Sequence, residues 1–570
     1  MEKTKVASAV SLLLVVGVAV GVVAIVRTND EKVTGTTGND GGLISTHSKA
    51  VKAMCQNSDD RRLCLDTLNP VNHTDPKEYI STVVKRSLES VIKAFNMSDR
   101  LRLEHDNSTP GVKMALEDCR DLLQFAIGEL QATKTVLQGN TINHVHDRVA
   151  DLKNWLGAVF AFQQSCLDGF HTHHEKQVRS QLQTGSLDHV GKVTALALDV
   201  VSRIAHVLSN FDLHLIVKPS SRRLIEVDQD GYPAWFGVTD RKLLGDVSKG
   251  GSIAPNAVVA KDGSGQFKTV LDAINAYPKN NKGRYVIYVK AGIYDEYITV
   301  DKNKKNILMY GDGHTKTIIT GNKNFVDGWK TMRTATFATN ADDFIAKSIA
   351  FENTAGAEGH QAVALRVQGD RSAFFDCAMR GYQDTLYAHA HRQFYRNCEI
   401  SGTIDFIFGY GTTLIQNSRI IVRKPMSNQQ NIVVADGTDQ KNMPTGIVLQ
   451  NCEIMADAAL YPDRLTVRTF LARPWKAFSR AVFIENTIGD LIQPQGYIPW
   501  NPPTEANTDN CYFVEYGNSG AGANASARAP FAKGIISKDE ASQFLAERWI
   551  QASTWVPATG ITYDAGFTKA

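Results

Sequence analysis

Two aspartates lie at a spacing that could bring them together. Asp384 lies eight residues after Asp376, which precedes Cys377, and Asp405 lies eight residues after Asn397, which precedes Cys398. In the same way, Gln361 lies eight residues after Asn353. The two cysteines are 21 residues apart, and the next copy of the pattern follows after 20. A repeat near 20 residues in β-rich sequence is typical of a solenoid whose in-register strands lie about 4.8 Å apart. We therefore expect Gln361, Asp384 and Asp405 to line up in neighbouring coils as a candidate active site.

The chemistry available to such a group is acyl transfer. Two carboxylates this close repel each other when both are ionised, so the pKa of one of them rises. The ionised carboxylate can then attack as a nucleophile while the protonated one donates a proton. The amide N–H groups of Gln361 and Gln383 could stabilise an oxyanion. Arg473 could keep the nucleophile ionised, and the flat face of Trp475 suits the packing of a sugar ring.

The elements that must position these residues begin at about residue 255. Short β-branched and aromatic runs alternate there with Gly, Asn and Asp turns. Because the turn residues repeat in register, we predict an all-β parallel β-helix over 255–570. Stacked positions about 4.8 Å apart also fall within the Cα separation of a disulfide, so we predict a Cys377–Cys398 bond.

The preceding region, 48–216, has the periodicity of helices. Val84, Leu88, Val91, Ile92 and Phe95 recur at three- and four-residue steps, as one buried helix face requires. Similar stretches cover 111–138, 144–170 and 189–215, and four such segments predict an all-α antiparallel four-helix bundle. We expect two disulfides here, one local and one tying two long helices: Cys55–Cys64 and Cys119–Cys166.

Composition and the N-terminus indicate a secreted protein. The 570 residues predict two or three domains, and 62 Lys and Arg against 59 Asp and Glu leave a formal charge of +3, with no basic tract that indicates nucleic acid. The uncharged residues 6–26 could cross a bilayer, so 1–27 is predicted as a signal peptide or a signal anchor that holds the chain transiently to the membrane. Residues 28–47 are predicted as a linker. Four glycosylation acceptors agree with secretion: Asn72, Asn96, Asn107 and Asn524.

A second linker, 217–254, contains two basic clusters of the same form. Arg222-Arg223 is followed by Leu-Ile, and Arg241-Lys242 is followed by Leu-Leu. Dibasic sites in an exposed linker of a secreted protein are candidate cleavage sites. We therefore predict proteolytic processing between the two domains.

Several motifs resemble those of plant pectin methylesterases. Tyr382-Gln383-Asp384-Thr385-Leu386-Tyr387, Gly402-Thr403-Ile404-Asp405-Phe406-Ile407-Phe408-Gly409 and Arg473-Pro474-Trp475-Lys476 carry the resemblance. The helical half resembles the pectin methylesterase inhibitor domain in Ala115-Leu116-Glu117-Asp118-Cys119 and in Cys166-Leu167-Asp168-Gly169-Phe170. Together the two resemblances cover nearly everything after residue 48.

The resemblance implies a right-handed parallel β-helix that removes methyl groups from homogalacturonan in the cell wall. Asp405 would be the nucleophile that forms an acyl-enzyme, and Asp384 the proton donor and later the base. Gln361 and Gln383 would form the oxyanion site, and Arg473 would orient Asp405. Thr331 and Trp475, with Gln361 and Arg473, would contact the substrate.

The resemblance also implies which partners the chain has. These are methyl-esterified homogalacturonan, a subtilisin-like processing protease and separate inhibitor proteins, with a monomer expected after processing. No metal and no organic cofactor is implied. The bundle is expected to act as an inhibitor or pro-region, and activity to fall on acidification as Asp405 becomes protonated.

The chain departs from the family pattern at a few places, and two other functions stay open. Tyr410-Gly411 replaces the usual Asn-Ala, Ser418 replaces a common cysteine, Ala472 replaces a glycine, and Tyr497 replaces a tryptophan. A β-helix depolymerase acting on the same polymer would release reducing ends instead of methanol. A non-catalytic secreted inhibitor or wall-binding protein would act through its bundle.

Overall fold

The structure, a computed structural model, describes residues 51–569 except 53, 57, 72–75, 139–144, 146 and 211–253. The predicted signal segment, the predicted linker 28–47 and all but the last residue of the predicted linker 217–254 lie outside these residues. Asn72 and the basic clusters with Arg222, Arg223, Arg241 and Lys242 also lie outside them. Within the described part, no helix has the length and apolar character needed to cross a membrane.

The N-terminal half is a bundle, and its described helices of eight or more residues are four long ones and two short ones. They are α1 (Arg61–Leu68), α2 (Pro76–Glu104), α3 (Pro110–Leu137), α4 (Val149–Asp168), α5 (His173–Leu182) and α6 (Asp188–Asn210). Helix α2 packs against α3 and α6, and α4 packs against α3 and α6, so the four long helices enclose one core. Most of the predicted face of α2 is buried or half-buried, but Ile92 is 39% exposed.

Two disulfides hold the bundle, as predicted. Cys55–Cys64 closes a local loop, and Cys119 near the start of α3 bonds to Cys166 near the end of α4. Because an early residue of one helix meets a late residue of the next, α3 and α4 run antiparallel. The predicted all-α bundle is therefore confirmed.

The C-terminal half is a parallel β-helix of 26 strands in three sheets, and among the named strands of the described residues every pairing is parallel. The seven-stranded sheet carries the candidate site. Its strands are β4 (Ile298–Val300), β7 (Phe337–Thr339), β10 (Leu365–Val367), β13 (Leu386–Ala388), β16 (Ile407–Gly409), β19 (Asn431–Asp436) and β22 (Thr469–Ala472).

Two further sheets complete each coil. The eleven-stranded sheet contains β1 (Ala257–Val259), β2 (Tyr285–Val289), β5 (Ile307–Gly311), β8 (Ile345–Lys347), β11 (Ser372–Phe375), β14 (Arg392–Arg396), β17 (Thr412–Gln416), β20 (Gly446–Gln450), β23 (Arg480–Ile484), β25 (Tyr512–Tyr516) and β26 (Gly534–Ile535). The eight-stranded sheet contains β3 (Gly292–Asp295), β6 (Thr317–Gly321), β9 (Ala350–Asn353), β12 (Ala378–Arg380), β15 (Glu399–Gly402), β18 (Arg419–Val422), β21 (Glu453–Ala456) and β24 (Thr487–Ile488).

The 20-residue repeat of the sequence is a column of turns. Asp376, Asn397, Asn417 and Asn451 follow successive strands of the eleven-stranded sheet with φ of 52°, 52°, 51° and 53°. Asp and Asn tolerate this left-handed backbone better than other residues with a side chain. The repeat therefore sets the coil length and keeps the strands in register.

Each layer of the β-helix buries apolar side chains. Inside the coils, aromatic rings stack from one turn to the next, as Phe374 does on Tyr395 at 4.9 Å between centroids. The C-terminal segment covers the outside of the eleven-stranded sheet with α8 (Lys538–Ala541) and α9 (Ala546–Trp549), while α7 (Val270–Asn275) packs at the first coil. The bundle covers the outside of the seven-stranded sheet, and both contribute to one hydrophobic cluster.

The predicted Cys377–Cys398 disulfide is wrong. Both cysteines are unbonded and buried, although their neighbours Ala378 and Glu399 pair in register. Side chains at in-register positions of parallel strands point the same way, so their Cβ atoms stay about 4.8 Å apart. A disulfide needs about 3.5–4.5 Å between Cβ atoms, so meeting the Cα separation alone is insufficient.

Candidate active site

The two aspartates lie side by side at the start of neighbouring strands. Leu386 of β13 pairs with Ile407 of β16, and Asp384 and Asp405 each lie two residues before these partners. The Asp384 amide donates a 3.0 Å hydrogen bond to the carbonyl of Ile404, which fixes this alignment. The in-register carboxyl pair predicted from the sequence is present.

The position of Gln361 differs from the prediction. Gln361 bridges to Gln383 instead of lying in line with Asp384, and the amide of Ala362 donates to the Gln383 carbonyl at 3.1 Å. Three residues separate Gln361 from Leu365 of β10, whereas only Thr385 separates Asp384 from Leu386 of β13, so Gln361 lies farther before its strand than Asp384 does. The result is a pair of amides beside a pair of carboxyls.

Arg473 holds Asp405 in a bidentate ion pair. Its Nε donates to Oδ1 at 2.8 Å and its Nη2 donates to Oδ2 at 2.5 Å. The guanidinium also stacks over the ring of Trp500, 4.2 Å from the centroid. Such a planar fork fixes the orientation of a carboxylate and favours its ionised form. Arg473 therefore orients the Asp405 carboxylate through both of its oxygens.

Asp384 has the opposite character. Burial raises its pKa well above the ordinary value, and the negative charge of Asp405 raises it further, while Arg473 acts in the opposite direction. No side-chain ion pair holds the Asp384 carboxyl among the described residues. The two carboxyls therefore have different environments: Arg473 binds Asp405, while burial disfavours the charged form of Asp384, and such a difference suits a nucleophile beside a general acid.

Both aspartates occupy left-handed backbone, with φ of 64° at Asp384 and 50° at Asp405. This conformation is uncommon for residues with a side chain and recurs at functional sites. Because each aspartate lies in the turn just before its strand, both carboxyls lie on the side of the seven-stranded sheet where its strands begin.

An aromatic floor continues from the carboxyls along the outside of the seven-stranded sheet. Tyr387 stacks on Phe408 at 4.3 Å, and Trp475 contacts Phe408 at 5.9 Å and Tyr410 at 4.7 Å between centroids. We call this face, from Gln361 to Trp475, the groove. Trp475 lies in it as predicted, and Thr331 lies at the start of a 3-10 turn, Thr331–Thr334, that precedes β7.

Helix α4 of the bundle lies in the groove. Ser165 Oγ is 3.0 Å from the Tyr387 hydroxyl and 2.8 Å from His389 Nε2. The ring of Phe162 packs edge-on against His389 and His391, with centroids 5.9 and 6.2 Å apart. The bundle therefore covers the floor of the candidate active site.

Asp168 closes the end of this contact. Its carboxylate accepts a hydrogen bond from the Tyr410 hydroxyl and forms an ion pair with Lys476, with 2.7 Å between Lys476 Nζ and Asp168 Oδ1. Tyr410, which departs from the family pattern, is thus both part of the groove floor and a partner of the bundle. No local sequence pattern indicates a role for Tyr410, His389 or His391, because their partners lie more than 200 residues away.

The predicted glycosylation acceptors within the described residues are accessible. Asn96, Asn107 and Asn524 are exposed. Their modification stays a prediction.

Comparison with known proteins agrees with this geometry. The "Pectinesterase" family model matches residues 256–553, and the "Plant invertase/pectin methylesterase inhibitor" model matches residues 49–200. Pectinesterase 4 of Arabidopsis thaliana is 38% identical over 98% of this chain and 99% of its own length. The chain belongs to the pectinesterase family.

Further relatives agree on both halves. A probable pectinesterase/pectinesterase inhibitor of Brassica napus is 38% identical over 98% of each chain. The solved structure of pectin methylesterase from carrot is similar to 55% of this chain and covers 99% of its own, at 46% identity and a TM-score of 0.54. This pectinesterase is thus a pectin methylesterase with an N-terminal inhibitor-like domain, and methyl-esterified pectin is its substrate.

Proposed function

We propose that the enzyme removes methyl groups from homogalacturonan through an acyl-enzyme on Asp405. The bidentate pair with Arg473 carries this assignment, because it leaves Asp405 ionised and aimed beside a protonated Asp384. A carboxylate oxygen of Asp405 attacks the C6 carbonyl carbon of a methyl-esterified galacturonate. Amide N–H groups of Gln361 and Gln383 donate hydrogen bonds to the oxyanion that forms.

Asp384 then serves both halves of the reaction. As the tetrahedral intermediate collapses, the bond to the methoxy oxygen breaks, and the Asp384 proton passes to that oxygen so that methanol leaves. The galacturonyl group is then bound to Asp405 as an anhydride. The Asp384 carboxylate takes a proton from an incoming water, whose oxygen attacks the C6 carbon and releases Asp405 and a free galacturonate.

Neighbouring groups orient the polymer. Trp475 offers a half-buried ring for packing against a sugar, and Arg473 and Gln361 lie at the reacting ester. Thr331 lies beside Lys330 before β7, where it would contact the substrate.

We further propose that the bundle inhibits the enzyme in cis until the linker is cut. The support is the seating of α4 on Tyr387 and His389 and the contacts of Asp168 with Tyr410 and Lys476. A tethered domain needs little intrinsic affinity, because the effective concentration reaches the millimolar range for short flexible linkers. A subtilisin-like protease would cut at Arg222-Arg223 or at Arg241-Lys242, and separate inhibitor proteins would dock in the same way.

The proposed site of action is the cell wall, after secretion. Exposed acceptors at Asn96, Asn107 and Asn524 and two disulfides in the bundle support this location. Before processing, residues 6–26 would hold the chain to the membrane, and the processed enzyme would act as a monomer.

The test is methanol release from highly methylated pectin by the full chain after its linker is cut, compared with Asp405→Asn. We expect methanol from the parent, loss of at least about a thousandfold in the variant, and no new reducing ends from either. A matched control is Asp376→Asn, which also replaces an aspartate at φ 52° but lies in the turn column. Methanol release that persists in Asp405→Asn would refute the nucleophile, and reducing ends without methanol would indicate a depolymerase.

A further inference from the structure

The ion pairs between the two domains all have the same polarity. In every one that the described residues form, the carboxylate belongs to the bundle and the cation belongs to the β-helix. The pairs are Lys302–Glu129, Lys330–Glu175, Arg333–Glu117, Arg333–Asp118, His391–Glu129, Arg392–Asp151, Lys441–Asp59 and Lys476–Asp168.

The cations are distributed along the seven-stranded sheet and lie on both sides of it. Lys302, Lys441 and Lys476 follow β4, β19 and β22, Lys330 and Arg333 precede β7, and Arg392 begins β14, the strand after β13. We call these six residues the cation row. Six steps between the seven strands cover about 29 Å. The row therefore suits an extended partner that carries many negative charges.

Several of these cations depend on the bundle for their partner. Lys330 and Glu175 are 2.7 Å apart with side chains only 6% and 3% exposed. Among the described residues, no carboxylate of the β-helix pairs with Lys302, Lys330 or Arg333, whereas Arg392 also pairs with Asp370. When the bundle leaves, these cations lose their carboxylate partners and become accessible to other anions.

The polymer provides carboxylates of this kind. Each turnover of the proposed reaction converts a neutral methyl ester into a carboxylate, so a de-esterified stretch carries one negative charge on every sugar. The bundle presents the same functional group to the cation row, and it places the ring of Phe162 on the groove floor where a sugar ring would pack.

We propose that the cation row binds a run of de-esterified galacturonate, and that the bundle carboxylates paired with these cations imitate such a run. De-esterified pectin therefore competes with the bundle for the groove. This inference rests on the proposed function. Its consequence is that the first de-esterified stretches promote release of the bundle from further enzyme molecules whose linker has been cut.

The experiment uses the full chain with a specific protease site inserted in the 217–254 linker and with Asp405→Asn, so that no ester is hydrolysed during the measurement. After cutting, sedimentation velocity measures the fraction of β-helix that still holds the bundle. Two oligogalacturonates of equal length are added in turn, one fully de-esterified and one fully methyl-esterified, with sodium chloride keeping the ionic strength equal.

We expect the de-esterified oligomer to displace half of the bundle at a concentration at least about tenfold lower than the methyl ester requires. Equal potency of the two oligomers, or displacement by salt alone, would overturn the inference. Because association is measured in an inactive variant, this result is independent of the methanol assay, which tests the proposed function by itself.

Charge-neutral variants locate the effect. Lys302→Gln with Lys330→Gln should reduce the advantage of the de-esterified oligomer by about tenfold. The matched control is Lys305→Gln with Lys424→Gln, since these lysines pair with Asp342 and Asp463 of the β-helix at 2.7 and 2.6 Å. The control should keep the full advantage, and an unchanged advantage in the Lys302 and Lys330 variant would contradict the inference.

Discussion

Arg473 donates two hydrogen bonds to Asp405, one to each carboxylate oxygen. The two residues are 68 positions apart in sequence and meet because β16 and β22 both flank β19 in one sheet. A planar guanidinium that serves both oxygens fixes the carboxylate more firmly than a single charge would. The reactivity proposed for Asp405 therefore depends on the shape of the arginine fork as well as on its charge.

Arg473→Lys should lower kcat by about a hundredfold, because a lysine keeps the charge but makes only one directed contact with Asp405. Initial rates of methanol release by the linker-cut chain measure this change. The matched control is Arg464→Lys, which breaks an exposed bidentate pair with Asp490 of 2.7 and 2.8 Å. If both variants lose activity equally, the arginine fork at Asp405 has no special role.

Asp384→Asn should stabilise the folded protein at neutral and alkaline pH. Burial and the charge of Asp405 raise the pKa of Asp384 in the folded state, so folding is favoured when this carboxyl is protonated. The stability present below the unfolded pKa is lost as pH rises through the folded pKa, and asparagine has no charge to bury. Thermal unfolding should give a higher midpoint for the variant at pH 8 and a difference that shrinks toward pH 4. A lower midpoint at pH 8 would contradict the raised pKa.

Gly157→Leu should raise the activity of the uncut chain by about tenfold. Gly157 of α4 faces the β-helix so closely that a Cβ atom there would lie 3.3 Å from the Pro444 Cδ. A leucine would push α4 away from the groove, while leucine itself favours helix over glycine. Gly157→Ala is the graded control, since one methyl group requires a shift of only a few tenths of an ångström. Unchanged activity of a folded Gly157→Leu chain would argue against inhibition in cis.

The bundle should bind more weakly as pH rises above about 6.5. Burial opposes protonation of His391, but the Glu129 carboxylate outweighs it and leaves the pKa of His391 raised. Docking therefore takes up a proton, and this stabilisation is lost as pH rises through the docked pKa. The pKa of His389 is lowered well below its usual value, chiefly by burial, so His389 is neutral in the docked state.

The associated fraction of the linker-cut chain between pH 6.5 and 8.5 measures this dependence. The His391→Gln variant should bind the bundle more weakly than the parent at pH 6.5. Its associated fraction should change much less between pH 6.5 and 8.5. A pH dependence of the same size in His391→Gln would assign the proton to another group.

Much of the fold could be predicted because its signals are local and repeated. The Asn and Asp column at 20-residue steps fixes the coil length, and the same spacing identified Asp384 and Asp405 before any contact was known. The pairing of Gln361 with Gln383 could not be predicted, because the longer segment between Gln361 and β10 changes the register without a signature in the sequence. Cys377 and Cys398 met the Cα criterion for a disulfide, but the parallel directions of side chains at in-register positions keep their Cβ atoms too far apart.

The contact between the domains lay beyond prediction from local patterns. Ser165 and His389 are 224 residues apart, and each has an ordinary setting in its own helix or strand. Ile92 shows the converse limit, since it fits the apolar period of α2 and is still 39% exposed. Periodicity identifies a helix face but does not define its edges.

The most direct test of Asp405 as nucleophile is to trap the acyl-enzyme. In the linker-cut chain, the Asp384→Asn variant should still be acylated by an oligogalacturonate trifluoroethyl ester, because trifluoroethanol leaves without a proton donor. The variant lacks the base that activates water, so the acyl-enzyme should accumulate. After rapid quenching and proteolysis, mass spectrometry should find the galacturonyl adduct on the peptide that contains Asp405, and Asp405→Asn should abolish it. An adduct on a different residue, or alcohol release with no adduct at any quench time, would contradict a covalent role for Asp405.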